Sequence, residues 1–323
     1  MLKEHKKRGI ISADEIVIII EAVMKKLLFI YNPNSGKGYI KNQLSGIIEK
    51  LCRAGYDITI YATGASKEAT DMVVKRGGEF DVIACSGGDG TINEVVNGEM
   101  QLSNRPPIAY FPTGTVNDFA RSLKIPKNVT KNVEYIIAGD IYSCDIGTFD
   151  NKYFNYVAGF GAFTEIAYET PQNRKNAMGK FAYFLDALRV LPEIHGYEMR
   201  IFTDQKTYEG EYIFGMICNS ESVGGIKLER GKNTAMKMDD GEFELILIRN
   251  PKDAVELEAT LRALMNRDTN NIYLDIVRTK TVRIICNEEV RYTLDGENGG
   301  SYKDVTAKCN YRAVNFFTQK VNE

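Results

Sequence analysis

The chain is short of several things that would each have pointed to a function. It has only two histidines, His5 and His195, so a histidine-based catalytic triad or metal centre is not expected. Its six cysteines (Cys52, Cys85, Cys144, Cys218, Cys286, Cys309) are dispersed with no paired spacing. That excludes a zinc module or disulfide framework and predicts a reducing, cytoplasmic setting. No apolar run approaches the ~20 residues of a membrane span. A formal charge of -2 lacks the basic excess that nucleic-acid binding requires, so no nucleic-acid partner is expected. Two familiar phosphate motifs are also missing: neither Gly-x-x-x-x-Gly-Lys-Ser/Thr nor Gly-x-Gly-x-x-Gly occurs at the glycine turns.

What remains is ordinary in bulk. With 323 residues, 44% apolar and 26% charged, the chain has the balance of a globular protein of roughly two domains. Residues 1–23 read as an N-terminal extension: Lys3 to Arg8 are basic and Ile16 to Ile20 apolar, but acidic residues interrupt the run and no small-residue cleavage site follows. From residue 24 to 142 strand and helix patterns alternate, predicting an α/β domain with a mostly parallel sheet. Its strands are expected at Leu27–Tyr31, Asp57–Ala62, Val82–Cys85 and Ile108–Phe111, and its helices at Ile40–Ala54, Glu68–Arg76, Thr91–Gly98, Val116–Ser122 and Val129–Ala138. Residues 143–310 read as a β-rich domain of sandwich type, with helical insertions at Lys180–Leu191 and Ala254–Met265. Residues 311–323 form a C-terminal segment that can complete either domain.

Chemistry concentrates at strand ends. Phe80 to Ala84 reads as a buried strand, followed by Ser86-Gly87-Gly88-Asp89-Gly90-Thr91-Ile92-Asn93-Glu94. The glycines let a ligand approach the backbone. Thr91 with Glu94 has the spacing of a capping box, predicting a helix from Thr91. A glycine turn running into a helix N-terminus offers free N–H groups and a positive dipole end to phosphate. Asp89, a carboxylate inside that anion site, calls for a cation alongside the phosphates. Two further turns are of the same kind: Asn32-Pro33-Asn34-Ser35-Gly36-Lys37-Gly38 after the first strand, and Pro112-Thr113-Gly114-Thr115-Val116-Asn117-Asp118-Phe119 after the fourth. In the latter, Thr115 and Asp118 form another cap-like pair.

Two acidic turns follow in the β-rich half. Leu294-Asp295-Gly296-Glu297-Asn298-Gly299-Gly300 taken alone reads first as an Asp-Gly hairpin turn; beside a nucleotide-and-metal site it offers Asp295 as a general base and Glu297 as a metal ligand. Lys237-Met238-Asp239-Asp240-Gly241-Glu242 suits a hard cation such as magnesium or a solvated turn.

Taken in order, Asn32-Pro33-x-Ser35-Gly36, Gly87-Gly88-Asp89-Gly90-Thr91-x-Asn93-Glu94, Pro112-x-Gly114-Thr115-x-Asn117-Asp118-Phe119 and Asp295-Gly296-Glu297 resemble the diacylglycerol kinase catalytic family, in particular its soluble bacterial branch. Tyr168-Glu169-Thr170-Pro171 and Phe181-Ala182-Tyr183 support the resemblance, which runs from about residue 24 to the end. It implies transfer of the ATP γ-phosphate to diacylglycerol, with magnesium as cofactor. By motif, Asn32, Pro33, Asn34, Ser35, Gly36, Thr63, Gly87, Gly88, Asp89, Gly90, Thr91, Ile92, Asn93 and Thr115 would surround ATP, and Asp295 would be the base. Asp89, Asp118 and Glu297 would hold active-site magnesium, partly through water; Asp240 with the main-chain oxygens of Lys237 and Glu242 would form a structural magnesium loop. The chain departs from relatives just before that loop, where Glu229 to Thr234 includes no proline.

A peripheral enzyme at the inner face of the membrane follows from the resemblance, as does a homodimer. Arg174, Lys175 and Lys180 near Tyr183 and Phe184, with Lys37, are candidates for a basic lipid-facing surface. Three other readings remain open: a kinase for a sphingoid base or similar lipid alcohol, an NAD kinase, and a non-catalytic lipid- or nucleotide-binding protein.

Overall fold

The computed structural model describes residues 24–161, 195–219, 222–223, 226–227, 238–266 and 271–319. Several expectations lie outside them: the extension 1–23, the helix 180–191, Tyr168–Pro171, the basic face around Arg174, the stretch Glu229–Thr234, and Lys237.

Four strands open the chain: β1 (Lys25–Tyr31), β2 (Tyr56–Ala62), β3 (Val82–Gly87) and β4 (Ile108–Pro112). They pair only in parallel, in the order β4-β3-β1-β2. Between and after them come α1 (Tyr39–Arg53), α2 (Glu68–Arg76), α3 (Asp89–Glu99), α4 (Asp118–Ser122) and α5 (Val129–Ala138). The central strands are near-continuous apolar runs because both their faces are covered. Leu28, Ile30, Ile83, Cys85, Ile108 and Tyr110 pack with Val73 of α2 and Ile92, Val95 and Val96 of α3. The alternate residues Leu27, Phe29, Val82, Ala84, Ala109 and Phe111 pack with Ile40, Ile47 and Leu51 of α1 and Val133 and Ile136 of α5.

The second half comprises β5 (Ile141–Phe149), β6 (Lys152–Phe154), β7 (Val157–Gly161), β8 (Tyr197–Thr203), β9 (Thr207–Cys218), β10 (Ser222–Val223), β11 (Ile226–Lys227), β12 (Phe243–Arg249), α6 (Ala254–Asn266), β13 (Leu274–Thr279), β14 (Thr281–Leu294) and β15 (Glu297–Phe317). All its internal pairs are antiparallel. Two expectations are corrected here. The described strands other than β10 and β11 form one thirteen-stranded sheet rather than a parallel sheet beside a separate sandwich, so the sheet as a whole is mixed and not mostly parallel.

The 21-residue strand β15 makes it continuous. At Ala307 it lies between Val282 of β14 and Phe149 of β5. At Phe316 it lies between Tyr142 of β5 and Ile108 of β4. The antiparallel and parallel sets therefore follow one another along one edge of a single strand. Val157–Gly161 and Tyr197–Thr203 lie in line between the long strands β9 and β14, which each pair with both. β13 pairs with β12.

Helix starts differ from expectation at both glycine turns. α3 begins at Asp89, two residues before Thr91, with Gly88 as N-cap and no side-chain cap. The expected capping box does not form, because Glu94 is used elsewhere. Its Oε1 accepts from Lys67 N at 2.8 Å and its Oε2 from Ala69 N at 3.3 Å, so it caps the neighbouring helix α2. The Thr91 side chain instead lies against Gly87, where any Cβ would come within 2.3 Å of it. At the other turn the helix starts at Asp118, after Asn117 in a left-handed conformation (φ 54°) and without a side-chain cap, so the Thr115–Asp118 pair does not cap it.

Removing the shared cap should be measurable. Glu94→Ala is expected to lower unfolding free energy by about 1 kcal/mol, the usual cost of a lost N-terminal cap, and to speed hydrogen exchange at the start of α2. Urea unfolding with peptide-resolved exchange checks this, and unchanged exchange at Lys67 and Ala69 would refute it.

Candidate active site

The three glycine turns sit at the carboxyl ends of β1, β3 and β4, where ligands bind in parallel α/β sheets. They touch one another. Gly36, at φ 56°, approaches so closely that a Cβ there would lie 2.1 Å from Thr113 O. A Cβ on Gly114 would lie 2.5 Å from the Cα of Gly88. Thr113 Oγ1 also donates to Ser35 Oγ at 3.1 Å, joining the first turn to the third. Within the first turn, Asn34 N donates to Asn32 Oδ1 at 2.9 Å. Only glycine at these contacts lets three loops form one continuous wall.

Beside that wall lies a cleft of about 470 Å³ lined by the first turn (Asn32, Asn34, Ser35), the residues after β2 (Thr63 to Ser66) and the second turn with the start of α3 (Gly88, Gly90, Thr91, Glu94). The first turn of α3 opens onto it with backbone N–H groups that have no partner within the helix, a ready anion site. Thr63 holds its place at the end of β2 by donating its N–H to Tyr31 O at 2.9 Å. Other expected nucleotide residues fall outside the lining. Ile92 is fully buried in the core beneath α3, which leaves only its backbone near the cleft. Thr115 is exposed on the third turn, and Asn93 faces away toward Asp295.

Asp295 sits at the tip of the β14–β15 hairpin, where Leu294 pairs with Glu297. Both Asp295 (φ 51°) and Gly296 (φ 85°) have positive φ, as a tight two-residue hairpin requires. The hairpin reading and the catalytic reading of this motif are therefore compatible. The side chain turns inward and is only 5% exposed. Its Oδ1 accepts from Tyr156 N and Val157 N, both at 3.0 Å. Its Oδ2 accepts from Asn155 N and Asn93 Nδ2, both at 2.7 Å. Burial pushes its pKa up to about 6, against those four hydrogen bonds, which pull it down. The β6–β7 connection and first residue of β7 that supply the three amides carried no signal in the sequence, because backbone donors have no residue type.

The other acids gather nearby. Tyr156 is buried beside Asp295, Asp89 and Asp118; burial first, then these three charges, raises its phenol. Asp89 Oδ1 accepts from Phe119 N at 3.3 Å, joining the second turn to α4. Asp118 meets Arg121 at 3.5 Å. Glu297 lies across from Gly90, where a Cβ would come within 3.9 Å of its Oε1. Among the described residues no three acidic side chains converge tightly enough to cage a metal by themselves. Carboxylates that form no cage of their own suit magnesium that arrives with nucleotide, since magnesium keeps waters and phosphate oxygens as ligands.

The acidic turn after Met238 is arranged differently. Arg278 Nη2 reaches both Asp240 Oδ2 and Glu242 Oε2. Asp240 Oδ1 accepts from Glu242 N at 3.1 Å. Arg312 pairs with Asp239 at 2.9 Å. The Asp240 carboxylate expected to hold a structural magnesium is thus already paired with a guanidinium, the main-chain oxygen of Lys237 lies outside the described residues, and no step is assigned to this turn. Neither arginine was legible as part of this turn, since each comes from a distant strand.

Residues 26–149 match the family model described as the diacylglycerol kinase catalytic domain. Over 279 residues the chain is 35% identical to a diacylglycerol kinase of Bacillus subtilis, covering 86% of this chain and 91% of that one. It is 36% identical over 276 residues to a diacylglycerol kinase of Staphylococcus haemolyticus, covering 84% and 82%. A solved structure of a proposed diacylglycerol kinase from Bacillus anthracis superimposes with a TM-score of 0.78 at 26% identity, over 91% of this chain and 95% of that one. With the family's four motifs folded around one cleft and one buried aspartate, the chain belongs to the diacylglycerol kinase catalytic family.

Proposed function

We propose that this protein transfers the γ-phosphoryl group of ATP to the free hydroxyl of diacylglycerol, giving phosphatidic acid and ADP. The observation that carries the reading is the 2.7 Å hydrogen bond from Asn93 to Asp295. Asn93 lies one turn into the helix whose N-terminus opens the phosphate cleft, so that bond ties the candidate base to the nucleotide site. Residues 24–142 supply the nucleotide side and residues 143–310 the acceptor side, with residues 311–317 running back along β5 and β4.

In this reading the triphosphate lies along the three turns, against the free amides of α3 and the hydroxyls of Ser35, Thr63 and Thr91. Asp89, Asp118 and Glu297 would hold magnesium, which when bound neutralises charge on the phosphates. Asp295, ionised at neutral pH, takes the proton of the acceptor hydroxyl as its oxygen bonds to the γ-phosphorus and the bond to ADP breaks. Phosphoryl transfer has a loose transition state, so positioning and charge neutralisation matter more than base strength. No helix among the described residues is long and apolar enough to cross a membrane, and the lipid would be met at a membrane surface.

The direct test incubates protein, γ-labelled ATP and magnesium with vesicles containing diacylglycerol, sphingosine or neither, and separately with NAD. Label in phosphatidic acid is expected; label only in another lipid or in NADP would overturn the assigned acceptor. Asp295→Asn should lower kcat by about 10²–10⁴-fold, the usual worth of a general base, while nucleotide binding measured by fluorescence persists. A kcat close to that of the unaltered protein would remove Asp295 from the chemistry. Because burial lifts Asp295 to about 6, it is protonated below that pH and ionised above it. Turnover should therefore rise through this region and level off by neutrality in a kcat–pH profile; a flat profile between pH 5 and 7 would contradict the assignment. Asp89→Ala should raise the magnesium concentration needed for half-maximal rate, and an unaltered magnesium titration would show that Asp89 holds no metal.

A further inference from the structure

Asn155 is held by its backbone and left free at its side chain. Its N–H donates to Asp295 Oδ2 at 2.7 Å. Its carbonyl accepts from Asn219 Nδ2 at 3.1 Å. The next residue is held in the same way: Tyr156 N donates to Asp295 Oδ1 at 3.0 Å, and Tyr156 O accepts from Asn219 N at 2.9 Å. The Asn155 side chain is fully buried, yet neither its Oδ1 nor its Nδ2 has a hydrogen-bond partner. Among the described residues it is the one buried amide with both ends unmatched. Such a group is costly, and native structures keep few of them. Leucine, of similar size, would preserve every backbone contact of this connection without that cost.

Asn219 leaves a second unmatched atom beside it. Its Nδ2 donates both to Asp145 O at 2.6 Å and to Asn155 O at 3.1 Å. Two carbonyls require the NH2 end at that place, so the amide cannot be turned over, and Oδ1 stays buried without a partner. The location of this pair is informative. Asn155 N shares Asp295 Oδ2 with Asn93 Nδ2, so the unmatched Asn155 amide lies within a side chain's length of the carboxylate that receives the acceptor proton. An acceptor hydroxyl brought to Asp295 carries its neighbouring groups toward Asn155. In diacylglycerol the carbon next to the one bearing the hydroxyl carries an ester, whose carbonyl oxygen can accept a hydrogen bond and cannot donate one. Asn155 Nδ2 is a donor without an acceptor.

We propose that Asn155 binds the lipid acceptor, donating from Nδ2 to the carbonyl oxygen of the ester beside the reacting hydroxyl, while Asn219 fixes the backbone that presents it. A few placed polar groups of this kind set specificity in otherwise apolar sites. The inference rests on diacylglycerol being the acceptor. If Asn155 had only a structural role, or held a water molecule, its loss would change rates on every lipid alike.

The test compares short-chain 1,2-diacylglycerol with the 1,2-dialkylglycerol of equal chain length, which has ethers in place of esters and keeps the hydroxyl. Transfer of label from γ-labelled ATP is measured in detergent micelles at saturating magnesium-ATP for the unaltered protein, Asn155→Leu and Asn155→Ala, with thermal unfolding of each. The unaltered protein should favour the ester by about tenfold in kcat/KM, the worth of one hydrogen bond made in the site. In Asn155→Leu that ratio should fall below about twofold, with KM for ATP changed by no more than about twofold and an unfolding midpoint unchanged or higher. Asn155→Ala removes the amide without adding volume and gives the same readout where leucine does not fold. Equal use of ester and ether by the unaltered protein, or an ester preference kept in a folded variant, would overturn the subsite and leave the kinase reading intact. No label in either glycerolipid, with sphingosine or NAD labelled instead, would overturn the acceptor assignment and this inference together.

Discussion

The site depends on keeping one carboxylate charged inside the protein. Removing Asp295 from water disfavours its anion, and an unpaired buried charge is among the most costly features a fold can hold. Three consecutive backbone amides and one asparagine meet that cost, each hydrogen bond to a charged group contributing about 1.5–3 kcal/mol. The balance leaves the group elevated to about 6 rather than neutral at pH 7, a poise that suits a base. The cradle also settles geometry. It ties the β14–β15 hairpin to the residues joining β6 and β7 and, through Asn93 Nδ2 and Asp295 Oδ2, to α3.

The rest of the site obeys a second constraint, close approach of backbone to backbone. Gly36 against Thr113 and Gly88 against Gly114 bring three strand-end turns into contact, and no side chain could be added at either without separating them. Left-handed residues recur at the same places: Asn117 before α4 and Asp295 at the hairpin. Such conformations cost of order 1–3 kcal/mol in non-glycine residues and persist where surrounding structure enforces them. Here the enforcement is visible, since Asn117 Nδ2 donates to Gly114 O at 2.7 Å and the Asp295 carboxylate is pinned on both oxygens.

Much of this was legible in the sequence because it is local. The Glu68–Arg76 and Val129–Ala138 helices, the four parallel strands and the glycine turns follow from periodicity and turn chemistry within a dozen residues. The departures arise chiefly where a distant partner overrides a local pattern. Thr91 and Glu94 have the spacing of a capping box, but Glu94 has a better use on Lys67 and Ala69 of another helix. The acidic turn at Asp240 and Glu242 read as carboxylates alone, and only the fold shows Arg278 of β13 paired with both side chains. The expected sandwich fails because β15 is long enough to pair with both halves, and strand length along a shared edge is not a local property.

The sequence by itself determined which residue types stand at the strand ends, the chemistry open to them, and the family to which that set belongs. Only the tertiary structure decided which of those residues meet. Asn93 read as a nucleotide residue from its motif, yet it is bonded to an aspartate 202 positions away. The amides of Asn155 to Val157 gave no signal at all. The physical reason is that motif chemistry is carried by side-chain identity, whereas the state of a buried charge is set by the backbone dipoles and amides that folding brings around it.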